Sequence, residues 1–156
     1  MNNISNIPSI HIAPIIPSVF TTKIIVQNEY YSIKQTTNNP NTLYVFGDNC
    51  QRFGKGGQAK IRSCPNTFGI RTKRYPGTNM EDYFYDCDEH KQIIITDCKN
   101  LRELYVMNVY DNIVFPKDGL GTGLSQLPQK APETFKLLCS LLKEDFNINL
   151  TEKGFV

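Results

Sequence analysis

The sequence predicts a three-layer α/β domain with a mixed sheet. Segments rich in β-branched and aromatic residues alternate with segments that have the three- and four-residue apolar spacing of helices, and this order is typical of a sheet covered by helices. The chain has 156 residues, which is enough for one domain with a substantial core and too few for two. Hydrophobic residues make up 40% of the chain and charged residues 21%, as in globular proteins.

The predicted elements follow one another along most of the chain. Pro8, Pro14 and Pro17 prevent a helix or a central strand near the N-terminus, so we expect residues 1–22 to form an extended arm on a single α/β domain of residues 23–156. Within that domain the sequence predicts a hairpin of strands 23–27 and 30–34, further strands at 42–46, 68–72, 112–116 and 148–150, a short helix at 58–63, and long helices over 88–110 and 131–146.

Composition and spacing exclude several classes of protein. The net charge of +2 is too small to predict non-specific binding to nucleic acids or membrane surfaces. No apolar run approaches the roughly 20 residues that span a bilayer, and the proline-interrupted N-terminus lacks the pattern of a secretion signal. Five cysteines without a Cys-x-x-Cys pair predict neither a disulfide framework nor a zinc site. We therefore expect a cytoplasmic protein with reduced thiols.

Two glycine-rich segments each come directly from a predicted strand: FGDNCQRFGKGGQA from residue 46 and FPKDGLGTGL from residue 115. Ligands of α/β sheets bind at the carboxyl ends of the strands. Glycine allows a close approach of the backbone, whose N–H groups bind phosphate oxygens. Neither segment has the spacing of a Walker P-loop or of the GxGxxG dinucleotide motif. The two segments either form one anion-binding cleft or are only tight turns.

The ordered set GDN, GKGGQA, FGIRTKR and FPKDGLGTGLSQLPQKAPETF resembles a macro domain, the α/β/α fold that binds ADP-ribose. It is most similar to the branch of terminal ADP-ribose protein glycohydrolases and to small phage-type macro-like proteins. The similarity covers residues 42–146, and the first 40 residues carry no match. It implies ADP-ribose, a related nucleotide or an ADP-ribosylated macromolecule as the partner, and neither a cofactor nor a metal.

The resemblance also implies which residues form the site. Lys73 matches the lysine that attacks the distal ribose in the glycohydrolase branch, and Asp48 is a candidate acid or base. The implied ligand-binding residues are Gly47, Asn49, Gly54, Lys55, Gly56, Gly57, Gln58, Thr72, Gly119, Gly121, Thr122, Gly123 and Leu124. One position departs from the branch, because Ser125 stands where the branch has an aspartate. The expected activity is hydrolysis of an ADP-ribose linkage, and the alternatives are a module that binds or sequesters the nucleotide without turnover and a plain protein-interaction domain.

Lys73 can act as a nucleophile only if its pKa is lowered. At the ordinary pKa of about 10.4, a lysine is neutral about once in 2,500 at pH 7, so its pKa must fall by about 3 units. Arg71 and Arg74 lie close enough in sequence to contribute to such a fall. If Lys73 stays charged, it is instead a partner for a phosphate or a carboxylate, or an ordinary surface lysine.

Three further groups have both a structural and a functional interpretation. His90 lies among acidic residues and is either a metal ligand or part of an ordinary helix start. The aromatic residues 83–85 either stack on a ligand or pack a loop onto the domain. Four basic residues around the first glycine-rich segment suit either a phosphate or a solvated surface: Arg52, Lys55, Lys60 and Arg62.

Overall fold

The computed structural model describes residues 21–156. The strands are β1 (Lys23–Gln27), β2 (Thr42–Asn49), β3 (Thr67–Lys73), β4 (Asn112–Pro116), β5 (Leu150–Thr151) and β6 (Gly154–Phe155). The helices are α1 (Ile33–Asn38), α2 (Asp88–Val106), α3 (Leu127–Lys130) and α4 (Pro132–Phe146), with two 3₁₀ turns at Gly57–Ile61 and Met80–Asp82. The predicted arm lies outside the described residues, apart from its last two positions.

The first four strands form one sheet in the order β1-β4-β2-β3, and β5 and β6 form a separate antiparallel pair. All three pairings in the four-stranded sheet are parallel. The prediction of a mixed sheet is therefore wrong for the described residues. The reason is that each strand returns to the sheet through a helix or a 3₁₀ turn on one of its faces, and such crossovers produce parallel neighbours.

The predicted hairpin of strands 23–27 and 30–34 is also wrong, because α1 begins at Ile33 and occupies part of the second segment. Ser32 is extended and precedes the helix, and its hydroxyl oxygen accepts a hydrogen bond from the Gln35 amide at 3.1 Å. A serine at this position satisfies one of the free N–H groups of the first turn. This cap offsets the strand propensity of the preceding tyrosines.

Side chains that alternate along the strands bury both faces of the sheet. Leu43 and Val45 of β2 belong to the larger core, which α2 and α4 cover with residues such as Ile94 and Leu138. Tyr44 and Phe46 point to the opposite face, where they join a smaller cluster with Tyr31, Ile61 and Val114. The α/β class is confirmed, with helices on one face and α1 with the first 3₁₀ turn beside the other.

The long helices have the predicted type with shorter bounds. The predicted helix over 88–110 ends at Val106, and the helix over 131–146 begins at Pro132. The short helix predicted at 58–63 is a 3₁₀ turn of five residues. None of the helices within residues 21–156 has the length and apolar character needed to cross a membrane.

Candidate functional site

The two glycine-rich segments meet at the carboxyl ends of β2 and β4, which are neighbours in the sheet. The side chain of Gln58 connects them. Its Oε1 accepts a hydrogen bond from the Gly47 amide at 2.9 Å, and its Nε2 donates to the Gly119 carbonyl at 2.9 Å. One side chain from the first segment thus fixes the distance between the two loops.

A first cavity of about 270 Å³ lies between the loops. It is lined by residues of both glycine-rich segments together with Tyr30, Tyr31, Lys60 and Ser125. The ring of Tyr31 is buried, and its hydroxyl donates to the Val45 carbonyl at 2.7 Å, so this side chain is held in place. The volume is close to the lower end of the range for small-molecule sites, roughly 300–1,000 Å³.

Both loops contain backbone amides without a partner in the described chain. The amide N–H groups of residues 56–57 and 121–124 donate to no acceptor within the described chain, although these residues line the cavity. Gly57 and Gly121 have positive φ angles of 56° and 76°, which only glycine adopts readily. Successive amides with such left-handed glycines form concave sites for anions.

A second cavity of about 340 Å³ adjoins the first. Four residues line both cavities and form the passage between them: Gly47, Gly56, Leu124 and Ser125. The second cavity has more residues with long side chains in its lining, including Asn49, Phe53, Arg62 and Lys73. The two cavities together form one elongated cleft along the carboxyl ends of β2, β3 and β4.

Lys73 ends β3 and is buried in the wall of the second cavity. Its Nζ donates a hydrogen bond to the Gly77 carbonyl and lies 4.6 Å from the centre of the Tyr83 ring. Burial lowers the pKa of Lys73, and the negative charge of Asp82 opposes part of this fall. No carboxylate of the described residues lies within 4.0 Å of Nζ.

The expectation that Arg71 and Arg74 lower the pKa of Lys73 is wrong. Arg71 points toward α2, where its Nη2 lies 2.7 Å from Oδ1 of Asp97, and Arg74 stacks on Tyr75. Burial is the first cause of the lower pKa of Lys73, and neither arginine contributes. Residues two apart on a regular strand share a face, but the register of β3 against β2 shifts between Arg71 and Lys73, so proximity in sequence was misleading here.

Asp48 is a buried carboxylate that two arginines hold. Arg62 lies 2.8 Å away and Arg52 3.0 Å away, and the Asn49 amide donates to Oδ1 at 2.8 Å. Burial alone would raise the pKa of Asp48. The hydrogen bonds from Arg62, Arg52 and Asn49 together lower this pKa by more than burial raises it, so the net pKa is below the ordinary value. Asp48 therefore stays ionised near neutral pH and orders the turn, which does not suit a group that exchanges protons.

Two more polar side chains shape the second cavity. Asn49 holds the loop, since its Nδ2 donates to the Phe53 carbonyl at 2.8 Å and its Oδ1 accepts from the Gln51 amide at 3.0 Å. The hydroxyl of Ser125 lies 2.8 Å from that of Thr72. The position that carries an aspartate in the glycohydrolase branch thus holds a neutral hydrogen-bonded pair.

All the residues predicted to bind the ligand line one or both cavities, except Lys55 and Thr72. Lys55 is exposed beside the cleft, and Thr72 is buried behind Ser125. The sequence did not indicate Tyr30 and Tyr31 as site residues, because it predicts a strand at these positions. It also did not indicate Gln126, because the left-handed φ of 46° at this residue has no sequence signal.

His90 belongs to the packing of the domain. Its buried ring stacks on Phe84 at 4.3 Å, and its Nδ1 lies 3.0 Å from the backbone of Tyr85. Within residues 21–156, no group of three or more metal-ligating side chains comes together. Of the aromatic residues 83–85, Phe84 is in the core, whereas Tyr83 lines the second cavity.

A family model matches residues 26–141, and its description is a family of unknown function, DUF7831. The chain belongs to this family. The DUF7831 segment contains every residue that lines the two cavities, together with the four-stranded sheet except for its first three residues. No curated protein and no solved structure is significantly similar to the chain.

Proposed function

We propose that this protein is a macro-like domain of the cytoplasm that binds ADP-ribose or an ADP-ribosyl adduct between its two glycine-rich loops. The observation that carries the proposal is the junction of the loops through Gln58, which leaves a row of unengaged backbone amides along a cavity. Such amides hold a diphosphate with little net positive charge. All five cysteines are free thiols, which agrees with a reducing compartment.

The shape of the cleft fits a ligand with two bulky ends and a narrow, charged middle. The exposed ring of Tyr30 provides an aromatic face for a base in the first cavity, beside the buried Tyr31. The passage at Gly47 and Gly56 suits the diphosphate, and the second cavity suits the distal ribose. Because the second cavity opens to solvent beside Phe53 and Gln126, an ADP-ribosylated macromolecule remains a candidate partner as well as the free nucleotide.

Hydrolysis of the ADP-ribose linkage is the second candidate function, and Lys73 favours it. A buried lysine with a lowered pKa has a larger neutral fraction, and its amine can attack the distal ribose carbon. The bond to the leaving group then breaks with both electrons going to that group, and water displaces the amine. Asp48 and Ser125 argue for binding without turnover, because neither provides a free base beside Lys73.

Calorimetric titration with ADP-ribose tests the binding proposal, with Gly123→Val as the decisive variant. A Cβ at Gly123 meets no atom within 4 Å and Gly123 lines the first cavity, so we expect valine there to add bulk at the cavity wall without disturbing the fold. We expect saturable binding by the unchanged protein and a loss of at least about 100-fold in affinity, or about 2.7 kcal/mol, in the variant.

Lys55→Ala is the matched control, because Lys55 lies in a glycine-rich loop but lines neither cavity. Its affinity should stay within about threefold of the unchanged protein, which is typical of an exposed charge. The melting temperatures of both variants should be close to that of the unchanged protein. No heat from the unchanged protein, or equal binding by Gly123→Val, would remove the proposal.

A further inference from the structure

The first glycine-rich loop presents an aromatic side chain at the second cavity. Phe53 is 69% exposed and lines that cavity beside Gly54 and Pro76. A single exposed apolar residue is ordinary on a protein surface. Phe53 differs from such a residue because it borders the cleft and because the turn that carries it is fixed.

Hydrogen bonds from two side chains fix this turn. Nδ2 of Asn49 donates to the Phe53 carbonyl at 2.8 Å, and the guanidinium of Arg62 donates to the same carbonyl at 3.3 Å and to the Gly54 carbonyl at 2.9 Å. Arg62 is itself held by the buried carboxylate of Asp48. The backbone that presents Phe53 is therefore linked to the core of the domain.

The backbone is also strained at Arg52, next to Phe53. Arg52 and Gly54, on either side of it, have φ angles of 56° and 105°. A non-glycine residue such as Arg52 rarely adopts this conformation, and strain of this kind concentrates at functional sites. The strain is maintained by the contacts of the Arg52 side chain with Asp48 and with the Gly69 carbonyl at 2.7 Å.

We infer that Phe53 is a stacking platform for a planar, conjugated ring that the ligand carries beyond its distal ribose. The inference rests on the proposed function, because it places the distal ribose in the second cavity. An aromatic side chain on a fixed turn at the end of an elongated nucleotide site can stack on flat rings, and it has only two side-chain torsions to order in doing so. Free ADP-ribose has no such ring, whereas a nicotinamide dinucleotide has one at the corresponding place.

The test compares NADH with ADP-ribose in calorimetric titrations of the unchanged protein, Phe53→Ala and Phe53→Tyr. NADH is chosen because its nicotinamide ring is uncharged, so neither repulsion from Lys73 nor cation–π attraction enters the comparison. We expect the unchanged protein to bind NADH about tenfold more tightly than ADP-ribose. Phe53→Ala should abolish this preference and change the affinity for ADP-ribose less than about twofold, while Phe53→Tyr should preserve the preference.

Met80→Ala is the matched control, since Met80 is 85% exposed and lines neither cavity. It should keep the preference for NADH. Equal affinity of the unchanged protein for the two ligands would overturn the inference, and so would an equal loss for both ligands in Phe53→Ala. In both of these cases ADP-ribose still binds and the proposed function stands. No binding of ADP-ribose to the unchanged protein would instead overturn the proposed function, and this inference with it.

Discussion

The two cavities of the cleft are built in different ways. The first is formed largely by backbone, with unengaged amides of residues 56–57 and 121–124 and a buried tyrosine wall. The second is formed by side chains, and its charges come from the buried Lys73 and from the pair of Asp48 and Arg62. The first cavity is suited to hold a ligand in place, whereas the second is suited to recognise or change its far end.

This difference separates binding from chemistry within one cleft. A backbone site does not depend on the protonation of side chains, so binding in the first cavity should vary little between about pH 6 and pH 8, where ordinary Asp, Glu and Lys side chains do not titrate. The second cavity contains groups whose pKa values are shifted by burial and by ion pairs. Substitutions in the two cavities should therefore have separable effects.

The largest effect is expected for Lys73→Met, measured as release of ADP-ribose from a mono-ADP-ribosylated protein. If the protein hydrolyses this linkage, the variant should lose at least about 10³-fold in turnover, because a nucleophile acts only in the chemical step. Binding of ADP-ribose should weaken by less than about tenfold.

Lys130→Met is the matched control for Lys73→Met. Lys130 lies 4.9 Å from the same Tyr83 ring, but it lines neither cavity. This variant should keep full turnover. If it loses as much turnover as Lys73→Met, the effect comes from Tyr83 rather than from a nucleophile. If the unchanged protein binds ADP-ribose and gives no product, the chain is a binding module.

The pH dependence of turnover should follow the proton on Lys73. Burial lowers the pKa of this lysine below its ordinary value, so the neutral amine becomes available at lower pH than in a free lysine. The rate should rise with pH and level off above the lowered pKa. A rate that falls as the pH rises between 6 and 10 would exclude the neutral amine as the attacking group.

The next largest effect is expected on stability, for Asp48→Asn. This change leaves Arg62 without its buried partner and should lower the free energy of unfolding by about 3 kcal/mol. The melting temperature should fall by roughly 6–12 °C, measured by calorimetry or circular dichroism. Glu133→Gln, which breaks an exposed pair with Lys136, should change stability by less than about 0.5 kcal/mol.

Acid should affect the unchanged protein and Asp48→Asn differently. The pKa of Asp48 is lowered in the folded protein, so its contribution to stability is complete above the unfolded pKa near 4 and is lost as the pH falls through the folded pKa. The stability difference between the two proteins should therefore shrink below about pH 4. A constant difference down to pH 2 would show that Asp48 acts through packing alone.

A smaller effect is expected for Gln58→Ala, which removes both hydrogen bonds between the loops. The free energy of unfolding should fall by about 1–2 kcal/mol, because each bond contributes about 0.5–1.5 kcal/mol. Affinity for ADP-ribose should fall by about tenfold, since the loops must then be ordered by the ligand. Unchanged affinity would show that the loops do not need this connection.

The smallest effect is expected for Lys60→Ala. Lys60 is an exposed lysine that lines the first cavity. If backbone amides hold the anionic part of the ligand, its removal should weaken binding by no more than about threefold, and less at high salt. A loss of 100-fold would mean that the first cavity depends on side-chain charge, as the second does.

The sequence predicted the first cavity better than the second, and the reason is the range of the interactions. Glycine-rich turns after strands are local features, and Gly56, Gly121 and Gly123, which they contain, line one cavity. The burial of Lys73 and the pairing of Asp48 with Arg62 depend on packing between distant segments. The strand assigned to residues 30–34 failed because the Ser32 cap starts a helix at Ile33.

The most direct test of the central claim is an NMR titration of the ¹⁵N-labelled protein with ADP-ribose. The claim is that backbone amides of both glycine-rich loops hold the ligand. The amide signals of residues 56–57 and 121–124 should therefore show the largest shifts, while those of α2 and β1 should stay in place. Shifts confined to other parts of the chain, or none at millimolar ADP-ribose, would contradict the account.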